Sequence, residues 1–181
     1  MCHFLSLRIG KKGMVIRMEQ NMEYRQQLIQ EYKEAVIPLL KYLPWLEKNA
    51  GKAGSSIYEG DGVGENSISF PVYDSVLLGF VKDAAKSPLM EKNYSYVYTR
   101  KRIQSHVDER RLIKAAQLQD WDVLRGILSK YVLGGRTKAV LWSEAASEGI
   151  FALVLDQMRM IIEYWDKPID MNNPESALNR E

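Results

Sequence analysis

Tyr94, Tyr96 and Tyr98 alternate along the chain, and Arg100, Lys101 and Arg102 follow directly. Arg110, Arg111 and Lys114 come next, so the run from Arg100 to Lys114 holds six basic and two acidic side chains. Rings that stack on bases, interleaved with guanidinium and ammonium groups that neutralise phosphates, are the ingredients of a nucleic-acid surface. On that reading the candidate binding residues are Tyr96, Tyr98, Arg100, Lys101, Arg102, Arg110, Arg111 and Lys114. Lys130, Arg136 and Lys138 extend the patch if the fold brings them near. The plainer alternative is a tyrosine-rich strand packed on the core and ended by a solvated basic turn. In either case the period of two favours an extended segment through the tyrosines.

Other chemistry is sparse. His3 and His106 are the two histidines; the first lies in a leader and the second in the first turn of an expected helix, where a neutral structural histidine is the common outcome. No Ser/His/Asp set is anchored by a nucleophile turn. Asp108 and Glu109 are adjacent and point to different faces of a helix, which suits capping better than acid–base work. Cys2 is the one cysteine, so the sequence offers no intrachain disulfide and no cysteine-based zinc site. Gly60, Gly62 and Gly64 alternate, but the pattern is neither a dinucleotide fingerprint nor a P-loop and reads as a hairpin tip. Glu59, Asp61 and Glu65 lack the spacing of a calcium loop. No enzyme activity, metal or cofactor is expected.

The elements that must position the basic run are mostly helical. Asp120 to Trp165 organises them. Trp121, Leu124, Ile127, Leu128, Tyr131 and Val132 fall on one helical face, with Asp120 as the expected N-cap. Gly134 and Gly135 are expected to end that helix in left-handed backbone, Thr137 to cap the next, and Gly149 to end it. Lys138 to Glu148 carries Glu144 and Glu148 and few donors, which argues against a recognition helix. From Ile150 to Trp165 an apolar stripe runs too broadly for a solvated helix. Upstream, Glu19 to Lys48 reads as a long helix kinked at Pro38, with Pro44 ending it or starting a separate turn. Ser55–Tyr58 and Ser67–Phe70 read as the strands of a hairpin. Asp74 caps a helix that Ser87-Pro88 stops, and Ser105 with Asp108 forms a capping box for a helix running to about Gln119.

The expected fold class is therefore α+β and predominantly α-helical, with a small β-hairpin. The organisation is a leader at 1–18, with a short strand through Met14 to Arg17, one mainly helical domain at 19–167 with the hairpin at 55–70, and a polar tail at 168–181. A chain of 181 residues can bury roughly 70% of its unfolded surface, enough to fold without staples. The net charge of +2 is too small to demand an anionic partner and argues against a DNA mimic. Glu144 to Glu181 holds eight acidic and three basic side chains, so a basic middle faces an acidic tail along the sequence. The lack of disulfides suits a reducing cytoplasm. No apolar run is long enough to span a bilayer, so no membrane partner is expected.

Phe70 to Asp74 (FPVYD), Leu124 to Leu128 (LRGIL), the Gly134 to Arg136 break, and Ala145 to Phe151 leading into a long apolar helix resemble a bacterial domain-of-unknown-function family that occurs among mobile elements. The resemblance covers Tyr24 to Trp165 and implies no activity. That family often continues after the break with an aromatic and a second glycine; Thr137-Lys138-Ala139 stands there instead, so a family site at that position does not carry over. In size and lack of catalytic groups the chain also resembles the small proteins by which phages and mobile elements disable host defence, including anti-CRISPR inhibitors of Cas9. This resemblance implies a non-enzymatic binding protein whose partner is a protein or ribonucleoprotein such as Cas9, its guide complex or its DNA groove. The next reading is a DNA-binding regulator using the basic, tyrosine-rich face, and the third an enzyme with an unrecognised site. A homo-oligomer is compatible with all three.

Overall fold

The computed structural model describes residues 11–52, 55–58 and 70–167. The 1–10 part of the leader, the glycine-rich 59–69 stretch and the tail from 168 lie outside the described residues. Helix α1 spans Lys11–Leu40, so the expected strand through Met14 to Arg17 is helical instead. Pro38 sits inside α1 without ending it. The chain breaks at Lys41 and Tyr42, and α2 (Leu43–Asn49) starts with Pro44 in its first turn, where a missing N–H leaves no bond unmade.

Strand β1 (Ser55–Tyr58) pairs antiparallel with β2 (Phe70–Tyr73), Ser55 opposite Tyr73 and Tyr58 opposite Phe70. The partner of SSIY is thus FPVY and not SISF, and the compact hairpin expected over 55–70 is not found among the described residues. Period-two alternation continues through Val72 and Tyr73, and pattern alone did not fix where the second strand begins. Asp74 then caps α3 (Ser75–Ala84) by accepting the Val76 N–H at 2.7 Å.

Five helices follow: α4 (Tyr94–Lys101), α5 (His106–Ala115), α6 (Trp121–Gly134), α7 (Val140–Ser147) and α8 (Ile150–Asp166). The extended segment expected through the tyrosines is therefore a helix, α4. Helix α5 ends at Ala115 rather than near Gln119, and a 3-10 turn, Leu118–Asp120, carries the chain into α6. Asp120 stands at the α6 N-cap, but its carboxylate is turned back to the Gln117 N–H (3.3 Å) and the Lys101 ammonium (3.3 Å). Thr137 caps nothing; its hydroxyl donates to the Gly134 carbonyl at 3.0 Å.

Helix α6 is the axis of the core. Every apolar residue expected on its face is buried, and it packs against α4, α5, α7 and α8. Helix α8 buries Ile150, Phe151, Val154, Leu155, Met158, Ile161 and Ile162, with Trp165 half-buried at its end. Helices α1 and α5 cover this stripe together with α2 and α7. Gly149 (φ 71°) holds the left-handed backbone between α7 and α8, as expected. Gly135 does not: its φ is −64°. A Cβ there would stand 2.0 Å from Trp142 Nε1, so the residue is small to admit the indole, which donates to the Val132 carbonyl.

Gly126 has the same kind of role between α4 and α6. A Cβ built on it meets Val97 Cγ1 at 2.8 Å, closer than side chains approach. Gly126→Ala should lower the unfolding free energy by about 1–3 kcal/mol through overpacking. Adding Val97→Ala should recover part of that loss in a chemical-denaturation cycle. Strictly additive losses would show that α4 and α6 do not meet there.

Candidate functional site

The described side chains converge most densely on Glu109, at the junction of α4, α5, α6 and α7. The sequence builds this junction locally. Helix α4 ends in Arg102, whose left-handed backbone (φ 53°) turns the chain out of the helix. Three residues on, the Ser105 hydroxyl accepts the Asp108 N–H, and the Asp108 carboxylate accepts the Ser105 N–H, completing the expected capping box. That start sets the register of α5. His106, Glu109, Arg110 and Ile113 then share one face, and the face turns inward.

Glu109 is 1% exposed. Its carboxylate accepts Tyr98 OH at 2.5 Å, Tyr131 OH at 2.7 Å and the Lys130 ammonium at 2.9 Å, with His106 Nδ1 at 3.0 Å. Lys130 lies over the rings of both tyrosines, 4.8 Å from Tyr98 and 4.6 Å from Tyr131. His106 Nε2 reaches Glu144 on α7 at 2.8 Å, so both ring nitrogens face carboxylate oxygens. Burial alone would push the Glu109 carboxyl up, but the hydrogen bonds from Tyr98, Lys130, His106 and Tyr131 outweigh it and hold it below the usual glutamate range. Burial, reinforced by the Glu109 charge, pushes both phenols far up, so Tyr98 and Tyr131 stay protonated and donate.

A carboxylate offers about four lone-pair directions, and all of them are taken here. Glu109 therefore has no acceptor left for a substrate proton or a metal ion. The cluster ties four successive helices together. No group of side chains suited to a metal ion occurs among the described residues.

The expected nucleic-acid residues do not form one free cationic face. Arg100 pairs with Asp122, Lys101 with Asp120, Arg110 with Glu148, Arg111 with Asp108 and Lys130 with Glu109. Tyr98 points into the Glu109 cluster and Tyr96 is exposed, with the Arg100 guanidinium 5.6 Å from its ring. Arg102, Lys114, Arg136 and Lys138 are exposed and have no carboxylate partner among the described residues. Glu109 was the residue missed in reading the sequence. Its signal was the capping box, which puts Glu109 one turn ahead of buried Ile113.

A second feature lies between α1 and the first turns of α6. An open groove of about 410 Å³ runs between α1 and α6, walled by Tyr32, Trp121, Pro88 and Leu89. The Tyr32 and Trp121 rings stack at 3.9 Å with 9° between their planes. No helix among the described residues is long and apolar enough to cross a membrane. No family model matches this sequence, and neither a curated protein nor a solved structure matches it.

Proposed function

We propose that this chain is a non-enzymatic binding protein that acts by occupying the surface of a protein partner. The observation that carries the reading is the internal pairing of Arg100, Lys101, Arg110, Arg111 and Lys130 with carboxylates of the same chain. Each of these cations has a carboxylate beside it whose charge opposes an approaching phosphate, so together they make a weaker phosphate-gripping face than free cations would. Glu109 and His106, the groups that could have served acid–base catalysis, are consumed in holding helices together. The sharpest form of the proposal follows the resemblance to defence inhibitors: the partner is a guide-loaded nuclease of the Cas9 type.

A DNA-binding regulator is the second reading, favoured by the exposure of Arg102, Lys114, Arg136 and Lys138. One experiment separates the two. The purified chain is titrated against labelled duplex DNA at low and moderate salt, with and without guide-loaded Cas9, and cleavage is followed. The inhibitor predicts a stable complex with the nuclease and blocked cleavage, with little binding to DNA alone. Salt-steep binding to DNA alone, abolished by reversing charge at Arg102, Arg136 and Lys138, would replace it with the regulator. Those positions suit the test because reversal there breaks no described ion pair.

A further inference from the structure

We infer that the groove between α1 and α6 receives an arginine or lysine side chain presented on a segment of the partner protein. The inference rests on the reading of the chain as a protein-binding module and names the chemistry of what it binds. The groove has the size of a side-chain or small-ligand site and an aromatic and aliphatic wall. Its rim is acidic. Glu31 and Glu34 stand three residues apart on α1, on the same edge. Neither has a cationic partner among the described residues; Glu34 accepts only the Gln30 amide, at 2.9 Å.

The groove's own cation does not neutralise that rim. Arg125 spends its donors on the opposite wall, on the carbonyls of Leu89 (3.0 Å), Pro88 (3.3 Å) and Met90 (3.4 Å), with Glu91 at 3.8 Å. Arg125 thus fixes the Pro88 to Met90 wall in place. Around α5 the surface carboxylates and cations pair with one another. Here two are left over beside exposed hydrocarbon and a ring. A long basic side chain matches both halves, its stem lying along Tyr32 and Pro88 and its head reaching the carboxylates. A nucleic acid does not, because its phosphates would meet Glu31 and Glu34.

The test uses an acetylated, amidated pentapeptide with one central arginine as the probe, and its citrulline counterpart as the uncharged control. Both are titrated into the full ¹⁵N-labelled chain. The Trp121 indole N–H has no hydrogen-bond partner among the described residues, so its resonance is a sensitive reporter of the groove. Saturable shifts at the Trp121 indole and at the amides of 31–35 are expected with arginine. Citrulline, or the Glu31→Gln/Glu34→Gln variant, should weaken binding at least ten-fold. Both glutamates are exposed, so the variant should keep the wild-type Tm. Equal shifts with citrulline, shifts that map elsewhere, or none at millimolar peptide overturn the inference. The same variant in the cleavage assay separates this from the broader reading. If it blocks the nuclease as wild type does, the groove is not the docking site while the inhibitor stands. If wild type never blocks, the peptide titration alone decides the groove.

Discussion

Glu109→Ala should lower the unfolding free energy by about 3–5 kcal/mol, the usual consequence of breaking a buried ion pair from one side. The loss has three parts. The Lys130 ammonium keeps its charge with no counterion beside it, the buried Tyr131 and half-buried Tyr98 phenols lose their acceptor, and the side-chain volume becomes a cavity. Against a typical total of about 5–15 kcal/mol, such a loss leaves the fold marginal. Urea denaturation measures it directly, and Glu109→Gln separates charge from volume by keeping the shape. The pH dependence supplies a second signature. The Glu109 carboxyl is held below its ordinary value in the folded state. Its stabilisation is therefore fully present above the unfolded-state value of about 4.3 and drains away as pH falls through the folded one. Wild type and Glu109→Gln should differ most near neutral pH and converge in acid. Parallel curves down to the acid transition would show that Glu109 is not ionised in the fold.

The second large effect lies one helix away. Phe151→Ala should cost about 3–5 kcal/mol, because the ring is fully buried and the site has little room to collapse. Phe151 meets Phe80 edge-on at 4.9 Å and Tyr131 at 6.0 Å, so it links α3 to α6 through α8. Removing it loosens Tyr131 as well, whose hydroxyl serves Glu109. The two substitutions should therefore not add: a Phe151→Ala/Glu109→Ala double variant should lose less than the sum of the singles. A full sum would place the aromatic contact and the polar cluster in separate units.

The helices that carry the core were legible because their signal is long. The faces of α6 and α8 repeat over several turns, and every apolar residue expected on the α6 face is buried. Capping at Asp74 and Ser105 was legible because it needs a few neighbouring residues only. The tyrosine run was misread for a specific reason. Residues two apart are also four apart at every second step, so Tyr94 and Tyr98 satisfy a strand face and a helix face equally. Tyr96 breaks the tie: it is exposed while Tyr98 is half-buried beside the buried Val97, whereas a strand would keep Tyr96 and Tyr98 on one face. The Gly134-Gly135 pair was misread because glycine answers two demands, left-handed backbone and missing volume, and Trp142 makes the second demand here. The fate of most of the candidate basic residues was not legible; among them only Arg111 meets a carboxylate on its own helix, Asp108 three positions back. Arg100 meets Asp122 and Arg110 meets Glu148 across 22 and 38 positions, distances at which local pattern carries no information.

The Glu109 tie also bears on the order in which the molecule assembles. Its partners all lie between Tyr98 and Glu144, so its contacts close short loops, and short loops close early and at small entropic expense. The Lys33–Asp166 contact between α1 and α8 spans 133 positions and closes a far longer loop. The α4–α7 quartet is thus placed to form first and to open last, with α1 the piece that docks onto finished structure. In slow amide exchange, the amides of α6 would then outlast those of α1 by a wide margin. The groove walled by α1 would be the first feature to vanish whenever the protein breathes.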